Sequence, residues 1–413
     1  MTKRTNRRTP RHPRRAPPRS WHALSGLTFF HAAAQTGFGA FVSVWLTQEG
    51  WTQTQIGLAL TIGTGAGLLG QLPGGVLVDS IHHHRTTAMA ALIALGVSAL
   101  MLALPPTQAS VWGAQVLHAL ASCVIVPAIA AITLSLTGHA RFGQRLGVNT
   151  RYAALGNGAA AAALGLGAYL LPGPAVFVIT AILVIPAIVM LLAIRLPTHH
   201  VATVDHPALL PPKRRPKPAW HIFAEPALHV FAVGTVLFQL ANAAMLPLAL
   251  NGLTMRGESN GFVVALAITV PQVIMAALAP WAGRMAETYG RRPILLFGFA
   301  ALPLRALLLA LAPEAIPLIL IQSLDAISGI MFGLLPPLLA ADLTRRTGYL
   351  NLAIGSLGLA AGLGATFSTV LAGYLADTQG MTTAFAGLGF VALTALLVIW
   401  VAMPETKPAA KTD

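Results

Sequence analysis

The stretch Gly283-Arg-Met-Ala-Glu-Thr-Tyr-Gly-Arg-Arg292 lies between two long apolar runs, and a weaker version, Gly75-Val-Leu-Val-Asp79, lies between two earlier runs. The acidic residues Asp79 and Glu287 are 208 positions apart. Polar residues inside the apolar runs repeat at nearly the same spacing: His31 with Gln239 (208), Gln115 with Gln322 (207) and His118 with Asp325 (207). A fixed spacing of this kind predicts two homologous halves around a common centre.

The composition identifies the class of protein. The chain has 413 residues, of which 55% are hydrophobic and only 9% are charged, with a mean hydropathy of +0.71. Soluble domains are about a quarter charged, so this is predicted to be a polytopic membrane protein. A single cysteine, Cys123, excludes an intrachain disulfide and a zinc site built on several cysteines.

Apolar runs long enough to cross a bilayer recur along the whole chain, which predicts an all-α membrane protein with twelve transmembrane helices. A polar segment, 197–225, divides them into an N-terminal six-helix bundle (21–196) and a C-terminal one (226–403). Residues 1–20 are expected to form a disordered basic tail, and 404–413 a second tail. The predicted spans are 22–46, 55–78, 86–104, 110–136, 148–171, 174–196, 226–250, 260–283, 293–312, 315–341, 349–376 and 381–403.

Basic residues are distributed on one side of the predicted spans. Of the 26 Lys and Arg residues, all but Arg256 and Arg305 lie in or at the edge of the two tails, the central segment or alternate gaps. Because basic loops stay in the cytoplasm, both termini are predicted to be cytoplasmic. The net charge of +14 is therefore interpreted as a topology signal, and nucleic-acid binding is not expected.

With its twelve spans, central segment and duplicated stretch, the chain resembles the major facilitator superfamily from about residue 21 onward. The family signature Gly-x-Leu-Ala-Asp-Arg-x-Gly-Arg-Arg matches 283–292 well, with Glu287 in the acidic position. The 75–85 copy keeps Gly75, Leu77 and Asp79, but histidines replace the basic pair. The resemblance implies two bundles that rock around a central cavity lined by spans one, four, seven and ten.

The resemblance also implies a cytoplasmic gate, in which the acidic residue of each signature faces a helix N-terminus and nearby arginines. Arg346 is included because Arg145-Leu-Gly147 matches Arg346-Thr-Gly348 at a spacing of 201, which we interpret as a shorter loop in the second half. The alternative is that the arginines only set topology. The candidate gate residues are Gly75, Asp79, Arg85, Arg145, Gly283, Glu287, Gly290, Arg291, Arg292 and Arg346.

Each of the four cavity spans carries two polar residues three or four positions apart, which places them on one helix face. Polar groups inside a span are costly unless they are paired or line a wet cavity, so together they predict one polar chamber. For a single amide, an interhelical hydrogen bond is the alternative. The pairs are His31 and Gln35, Gln115 and His118, Gln239 and Asn242, and Gln322 and Asp325.

Asp325 is the only acidic residue deep within a predicted span, and Arg305 is the only such basic residue. Two interpretations stay open. The two residues form a buried ion pair that holds the C-terminal bundle together, or Asp325 binds a proton or a cationic group and releases it during transport.

The three histidines His82, His83 and His84 suggest a metal site at first sight. Three adjacent loop residues do not converge on one ion, and only Asp79 is near enough in sequence to complete the set. Because they stand opposite Gly290, Arg291 and Arg292 of the second copy, we interpret them as a titratable substitute for its basic pair. No metal site is predicted.

The leading hypothesis is a secondary transporter for a small organic solute, driven by the proton gradient and most consistent with efflux. Import of a metabolite or siderophore is the alternative, and a non-transporting sensor or scaffold with the same fold is a third hypothesis. No phosphate-binding loop or nucleophile elbow occurs in the sequence, so an enzyme is not expected. The expected partners are the solute, protons and the lipid bilayer, without a cofactor, for a monomer in the cell inner (plasma) membrane.

Overall fold

The computed structural model describes residues 18–38, 40–81, 83–170, 174–195, 219–256, 261–311, 314–345 and 347–407. This part of the chain forms fifteen α-helices, two short 3-10 turns and no strand. The predictions for the first 17 residues, most of the central segment, His82 and Arg346 lie outside the described residues. The helices are α1 (Pro18–Thr36), α2 (Ala40–Gln48), α3 (Gln53–Ser80), α4 (His84–Ala103), α5 (Gln108–Thr137), α6 (Phe142–Leu170), α7 (Ala175–Ala193), α8 (Pro226–Asn242), α9 (Met245–Met255), α10 (Gly261–Tyr289), α11 (Arg291–Leu311), α12 (Ala315–Ile321), α13 (Ser323–Leu343), α14 (Leu350–Gln379) and α15 (Met381–Ala402).

The all-helical membrane architecture is confirmed. Within the described residues, ten helical segments are long and apolar enough to cross a membrane. The regions predicted as spans one and five are helical, as α1–α2 and α6, but are not among these ten. The count of twelve spans and the cytoplasmic position of the termini therefore stay predictions.

Three of the predicted spans are interrupted helices. The breaks fall between α1 and α2, between α8 and α9, and at Gln322 between α12 and α13. Each break lies beside a predicted cavity residue, namely Gln35, Asn242 and Gln322. Broken helices at membrane depth are tolerated where side chains or a cavity satisfy the freed backbone groups, and they often mark binding sites in transporters.

The apolar cores follow the two halves of the sequence. One large cluster of buried side chains is drawn from residues between Ala23 and Ile194, and another is drawn mainly from residues between Ile222 and Met403. In the first half, α4 packs on α5 and α7, and in the second, α11 packs on α13 and α15.

The most extensive contacts between the two halves are two helix crossings, α3 with α14 and α6 with α10. Glycines permit the close approach. A Cβ on Gly75 would overlap the carbonyl oxygen of Asn351, and one on Gly283 would overlap that of Gly143. Both pairs, Gly75 with Gly283 and Gly143 with Asn351, are 208 positions apart, so the crossings are related by the sequence repeat.

The same crossings correct the repeat alignment around Gly147. A Cβ on Gly147 would overlap the carbonyl oxygen of Ala279, and one on Gly355 would overlap that of Gln71. Gly147 therefore corresponds to Gly355 at a spacing of 208, and the predicted match to Gly348 at 201 is wrong. The close approach of two backbones at each crossing therefore determines where the repeated glycine lies.

Candidate functional site

Asp79 lies at the end of α3 and accepts three hydrogen bonds from the start of α14. Its Oδ1 accepts from the backbone N of Asn351 at 3.1 Å and from Asn351 Nδ2 at 2.7 Å, and its Oδ2 accepts from the backbone N of Leu352 at 2.8 Å. The first N–H groups of a helix lack intrahelical acceptors and carry partial positive charge, which favours a carboxylate there. Asp79 thus links the N-terminal half to the C-terminal half.

Glu287 takes the equivalent place at the end of α10. Its Oε1 accepts from the backbone N of Gln144 at 2.9 Å, near the start of α6. Gln144 and Leu352 are again 208 positions apart. We call the end of the molecule that carries Asp79 and Glu287 the signature face. Both acidic residues therefore face a helix N-terminus of the opposite half, and the backbone N–H of Gly143 adds a weaker contact to Glu287.

Two of the predicted gate arginines connect helices within the N-terminal half. Arg145 Nη2 donates to the backbone O of Trp21 at 3.0 Å and to Ser25 Oγ at 2.8 Å, and its guanidinium lies 5.4 Å from the centre of the Trp21 ring. Burial lowers the pKa of Arg145 to about 10, so it stays charged at neutral pH. Arg85 Nη2 donates to the backbone O of Leu192. In the described structure neither residue hydrogen-bonds to Asp79 or Glu287. Each donates instead to a neighbouring helix of its own half, and Arg145 Nε is buried without a partner there.

The arginines of the second copy act in the same way. Arg292 Nη2 donates to the backbone O of Trp400 at 2.7 Å. The buried Arg291 donates through Nε to Asp342 Oδ2 at 2.8 Å and through Nη1 to the backbone O of Ala286 at 2.8 Å. It lies near enough to Glu287 for a charge interaction, but its hydrogen bonds stay within the C-terminal half.

The C-terminal tail folds back onto the second signature copy. Glu405 Oε1 accepts from the backbone N of Arg291 at 2.9 Å, and Oε2 accepts from the backbone N of Arg292 at 3.1 Å. Lys407 Nζ donates to the backbone O of Thr288 at 2.8 Å. Gly290 has a φ of +105°, which favours glycine, and a Cβ there would overlap Glu405.

The charge of Glu405 is stabilised by these contacts. Burial by itself raises the pKa of this carboxyl. Hydrogen bonds from the backbone N–H groups of Arg291, Lys407 and Arg292 lower the pKa by more than burial raises it, so the net pKa lies below the usual value of 4.5. Glu405 is therefore ionised at neutral pH and caps the start of α11.

A cavity of about 700 Å³ lies beside the middle of α3 and α5, and the crossing of α3 with α14 separates it from Asp79. We call this cavity the chamber. Its lining comes from the break between α1 and α2, from α3, from α5 and from the start of α14. The lining residues are Phe38, Leu60, Gly63, Thr64, Gly67, Gln71, Gln115, His118, Ala119, Ser122, Cys123, Val126, Pro127, Ile354 and Gly358.

Four predicted cavity residues of the N-terminal half lie at or near the chamber. Gln115 and His118 line it directly. The His118 ring stacks on Phe38 at 3.8 Å between centroids and an interplanar angle of 14°. Gln35 Nε2 donates to Ser122 Oγ at 2.8 Å, and the buried His31 has a hydrogen-bonding atom, Nδ1, without a partner in the described structure.

The C-terminal residues instead form a second cluster around Arg305. This guanidinium is 1% exposed. Its Nη1 donates to Asn242 Oδ1 at 2.7 Å and to Asp325 Oδ1 at 2.5 Å, and its Nη2 donates to Gln322 Oε1 at 2.7 Å. The Asp325 side chain is 32% exposed. The ion pair predicted as one of two alternatives is therefore present, and one oxygen, Oδ2, makes no hydrogen bond in the described structure.

The structure does not bring the eight predicted residues into one chamber. The Arg305 cluster contributes none of the residues that line it. Gln239 packs against Gly364 of α14, and its Oε1 is buried without a hydrogen-bond partner in the described residues. The sequence spacing predicts which helix face a side chain occupies, but it does not predict that Arg305 will hydrogen-bond to that side chain.

The family profile of the Major Facilitator Superfamily matches residues 24–266 and 231–413, which together cover nearly the whole chain. The chain belongs to the major facilitator superfamily. An uncharacterised MFS-type transporter of Mycobacterium tuberculosis (strain H37Rv) is 36% identical over 405 residues, covering 94% of each chain. The multi-drug resistance efflux pump PmrA of Streptococcus pneumoniae (strain TIGR4) is 26% identical over 170 residues, covering 40% of this chain and 41% of PmrA.

Solved structures support the same fold. The major facilitator superfamily transporter FucP in its outward conformation aligns with a TM-score of 0.72 at 13% identity, covering 92% of this chain and 97% of FucP. A variant of the Escherichia coli fucose:proton symporter FucP aligns with a TM-score of 0.69. At this identity the likeness concerns the fold alone.

As a member of the major facilitator superfamily, the chain is a membrane transporter for small solutes and not an enzyme. Transporters of this family are driven by ion gradients and generally need no cofactor. Among the described residues, no group of three or more His, Cys, Asp and Glu side chains could hold a metal ion.

Several functional residues were missed by sequence reasoning. Glu405 lies in a tail with no repeat partner among the described residues, and Asp342 lies at the end of a span where an acid is unremarkable. Gln71 lines the chamber but corresponds to Ala279 at the spacing of 208, so the repeat does not mark it. Its position as an amide inside an apolar run was the available signal.

Proposed function

We propose that this chain is a proton-coupled exporter of a small organic solute, which works by alternating access as a monomer in the cell inner (plasma) membrane. The observation that carries the proposal is the pair of Arg305, which is buried, with Asp325, which is half-buried and has one oxygen free of hydrogen bonds in the described structure. A carboxylate so placed can accept a proton without first leaving its position.

Protonation of Asp325 would remove the charge that attracts Arg305. The guanidinium keeps its hydrogen bonds to Asn242 and Gln322, so the cluster is not dismantled. Asn242 lies at the end of α8, Gln322 at the break between α12 and α13, and Asp325 in α13. Proton binding would therefore change how the interrupted spans of the C-terminal half are held together. Two states with different affinities for a proton are what coupling requires.

The contacts at the signature face support alternating access. If this face is cytoplasmic, as the distribution of basic residues predicts, the molecule is closed toward the cytoplasm by Asp79 and Glu287, and the chamber lies beyond the closure. Export is favoured by partial similarity to a multidrug efflux pump. Import and a sensor without transport are the alternatives that the experiment separates.

The test is transport by the purified full-length chain in proteoliposomes, using a panel of small organic solutes with and without an imposed pH gradient. We expect movement of at least one solute that stops when the gradient is collapsed, and we expect Asp325→Asn to abolish this dependence. Asp377→Asn is the matched control, because Asp377 is an exposed acid near the end of α14. Gradient-driven transport by Asp325→Asn at the normal rate would overturn the coupling role of Asp325.

The direction of solute movement relative to the proton gradient separates export from import. A sensor would bind a solute and show no flux in either direction.

A further inference from the structure

The chamber is lined without a charged side chain. Among its lining residues in the described structure there is no Asp, Glu, Lys or Arg. Arg305 and Asp325 form an ion pair with each other, and neither residue lines the chamber. A solute with a full charge would find no opposite charge in the chamber, and desolvating an unpaired ion in such a site is costly.

The chamber does carry hydrogen-bonding groups that are not used by the protein. Gln115 is 5% exposed and lines the chamber, and its amide makes no hydrogen bond within the described structure. The amide of Gln71 also lines the chamber without such a bond. His118 Nδ1 is buried and has no partner in the described residues. Buried polar groups are almost always satisfied, so these three side chains point to a ligand or to water that a ligand displaces.

The remaining lining is apolar and includes an aromatic surface. Leu60, Val126 and Ile354 contribute aliphatic surface, and Phe38 stacks on His118. The volume of about 700 Å³ lies within the range of sites for drug-sized ligands, which is roughly 300–1,000 Å³. The site therefore combines an apolar wall with a few hydrogen-bonding groups on α3 and α5.

Gln71 also connects this site to the movement of the two halves. A Cβ on Gly358 of α14 would overlap the Gln71 side-chain oxygen, so the amide lies against the backbone of the opposite half. The recognition groups belong to the N-terminal half, whereas Ile354 and Gly358 complete the wall from the C-terminal half. Separation of α3 from α14 would therefore remove one wall of the chamber and leave the amides in place.

We propose that the transported solute is uncharged and amphiphilic, with at least two hydrogen-bonding groups that engage Gln71, Gln115 and His118, and with an apolar or ring portion against the aliphatic wall. This inference rests on the proposed transport function, since it names the substrate class of the same protein. It excludes permanent cations and carboxylates as preferred substrates.

The test is ligand binding by the full-length protein in detergent, without any pH gradient. The probes are uncharged phenyl amides that carry a second hydroxyl or amide group, their quaternary-ammonium analogues and their carboxylate analogues, matched in size. The readouts are the Tm shift and the Kd from intrinsic tryptophan fluorescence. We expect the uncharged series to bind at least tenfold more tightly than either charged series.

Variants connect the preference to the chamber. Gln115→Leu and Gln71→Leu should each weaken binding of the uncharged series about tenfold, whereas Gln272→Leu in α10, which does not line the chamber, should not. Gln115→Glu should gain binding of the quaternary-ammonium series, a result that no loss of folding can imitate. The Tm of each variant without ligand identifies those that fail to fold.

Tighter binding of either charged series by the unmodified protein, or no binding of the uncharged series, overturns the inference. Binding of the uncharged series without proton-driven flux leaves this inference intact and overturns the proposed coupling. Proton-driven flux of a permanent cation would overturn this inference and leave the proposed coupling intact.

Discussion

The two signature copies stabilise the same face in different ways. In the N-terminal copy, Asp79 accepts three hydrogen bonds from the opposite half, one of them from the side chain of Asn351, whereas in the C-terminal copy Glu287 accepts only from the backbone, at 2.9 Å from Gln144 and more weakly from Gly143. The C-terminal copy is instead reinforced within its own half, since Arg291 binds Asp342 and Glu405 caps α11. The glycine crossings are related by the repeat, but the first copy makes more hydrogen bonds to the opposite half and the second makes more within its own half.

In the corresponding loop of the N-terminal half, Arg85 donates to the backbone O of Leu192 in the same half. His83 stands at the cap position of α4 and makes no side-chain capping bond. Glu405 performs the capping in the second half from a distance of more than a hundred residues.

The largest expected effect tests whether the two crossings are equivalent. A Cβ on Gly75 or on Gly147 would overlap a backbone carbonyl oxygen of the other half, and backbone cannot yield as a flexible side chain can. We expect Gly75→Ala and Gly147→Ala each to prevent closure of the signature face and to stop transport. The measurement is the distance between spin labels at the exposed positions Arg19 and Thr288, after replacement of the native cysteine.

Gly373→Ala in α14 is the matched control, because a Cβ there meets nothing within 4 Å. If only one of the two crossing variants opens the face, the crossings are not equivalent.

A smaller effect separates the two carboxylates. Hydrogen bonds to charged groups contribute about 1.5–3 kcal/mol each, and Asp79 makes more of them than Glu287. We expect Asp79→Asn to shift the population toward an open signature face by at least tenfold, and Glu287→Gln by only a few-fold. The same pair of spin labels reports both populations, and equal shifts would remove the asymmetry between the copies.

The smallest effect concerns the tail. Loss of a helix cap costs about 1 kcal/mol, so Glu405→Gln should lower the Tm by a few degrees with little effect on the labelled distance. The lowered pKa of Glu405 means that its contribution is fully present above the usual value of 4.5 and is lost as the pH falls through the lower folded value.

Thermal unfolding in detergent between pH 3 and pH 7 measures this, and Glu314→Gln is the control, since Glu314 starts α12 without a side-chain cap. If the Tm difference between Glu405→Gln and the unmodified protein grows as the pH falls, the expected loss of the Glu405 contribution at low pH is contradicted.

The general architecture could be predicted because hydropathy identifies whole membrane helices and the 208-residue repeat identifies two corresponding halves. Asp79 and Glu287 face helix N-termini, as the resemblance to the family implied, because the positive end of a helix favours a carboxylate, and their gating role stays a prediction. The directions of Arg145 and Arg85 could not be predicted, because charge gives a location and not the acceptor that a long side chain will reach. The contact of Glu405 with α11 depends on how the chain end folds back, for which no local pattern exists.

The single cysteine has a practical consequence. Cys123 lines the chamber, and its thiol donates to the backbone O of Gly67 at 3.3 Å. The unaltered protein therefore carries a single thiol in the chamber that a reagent can label. The rate at which a membrane-impermeant maleimide modifies it from either side of a sealed vesicle would follow the opening of the cavity in real time, and a bound solute should slow that reaction.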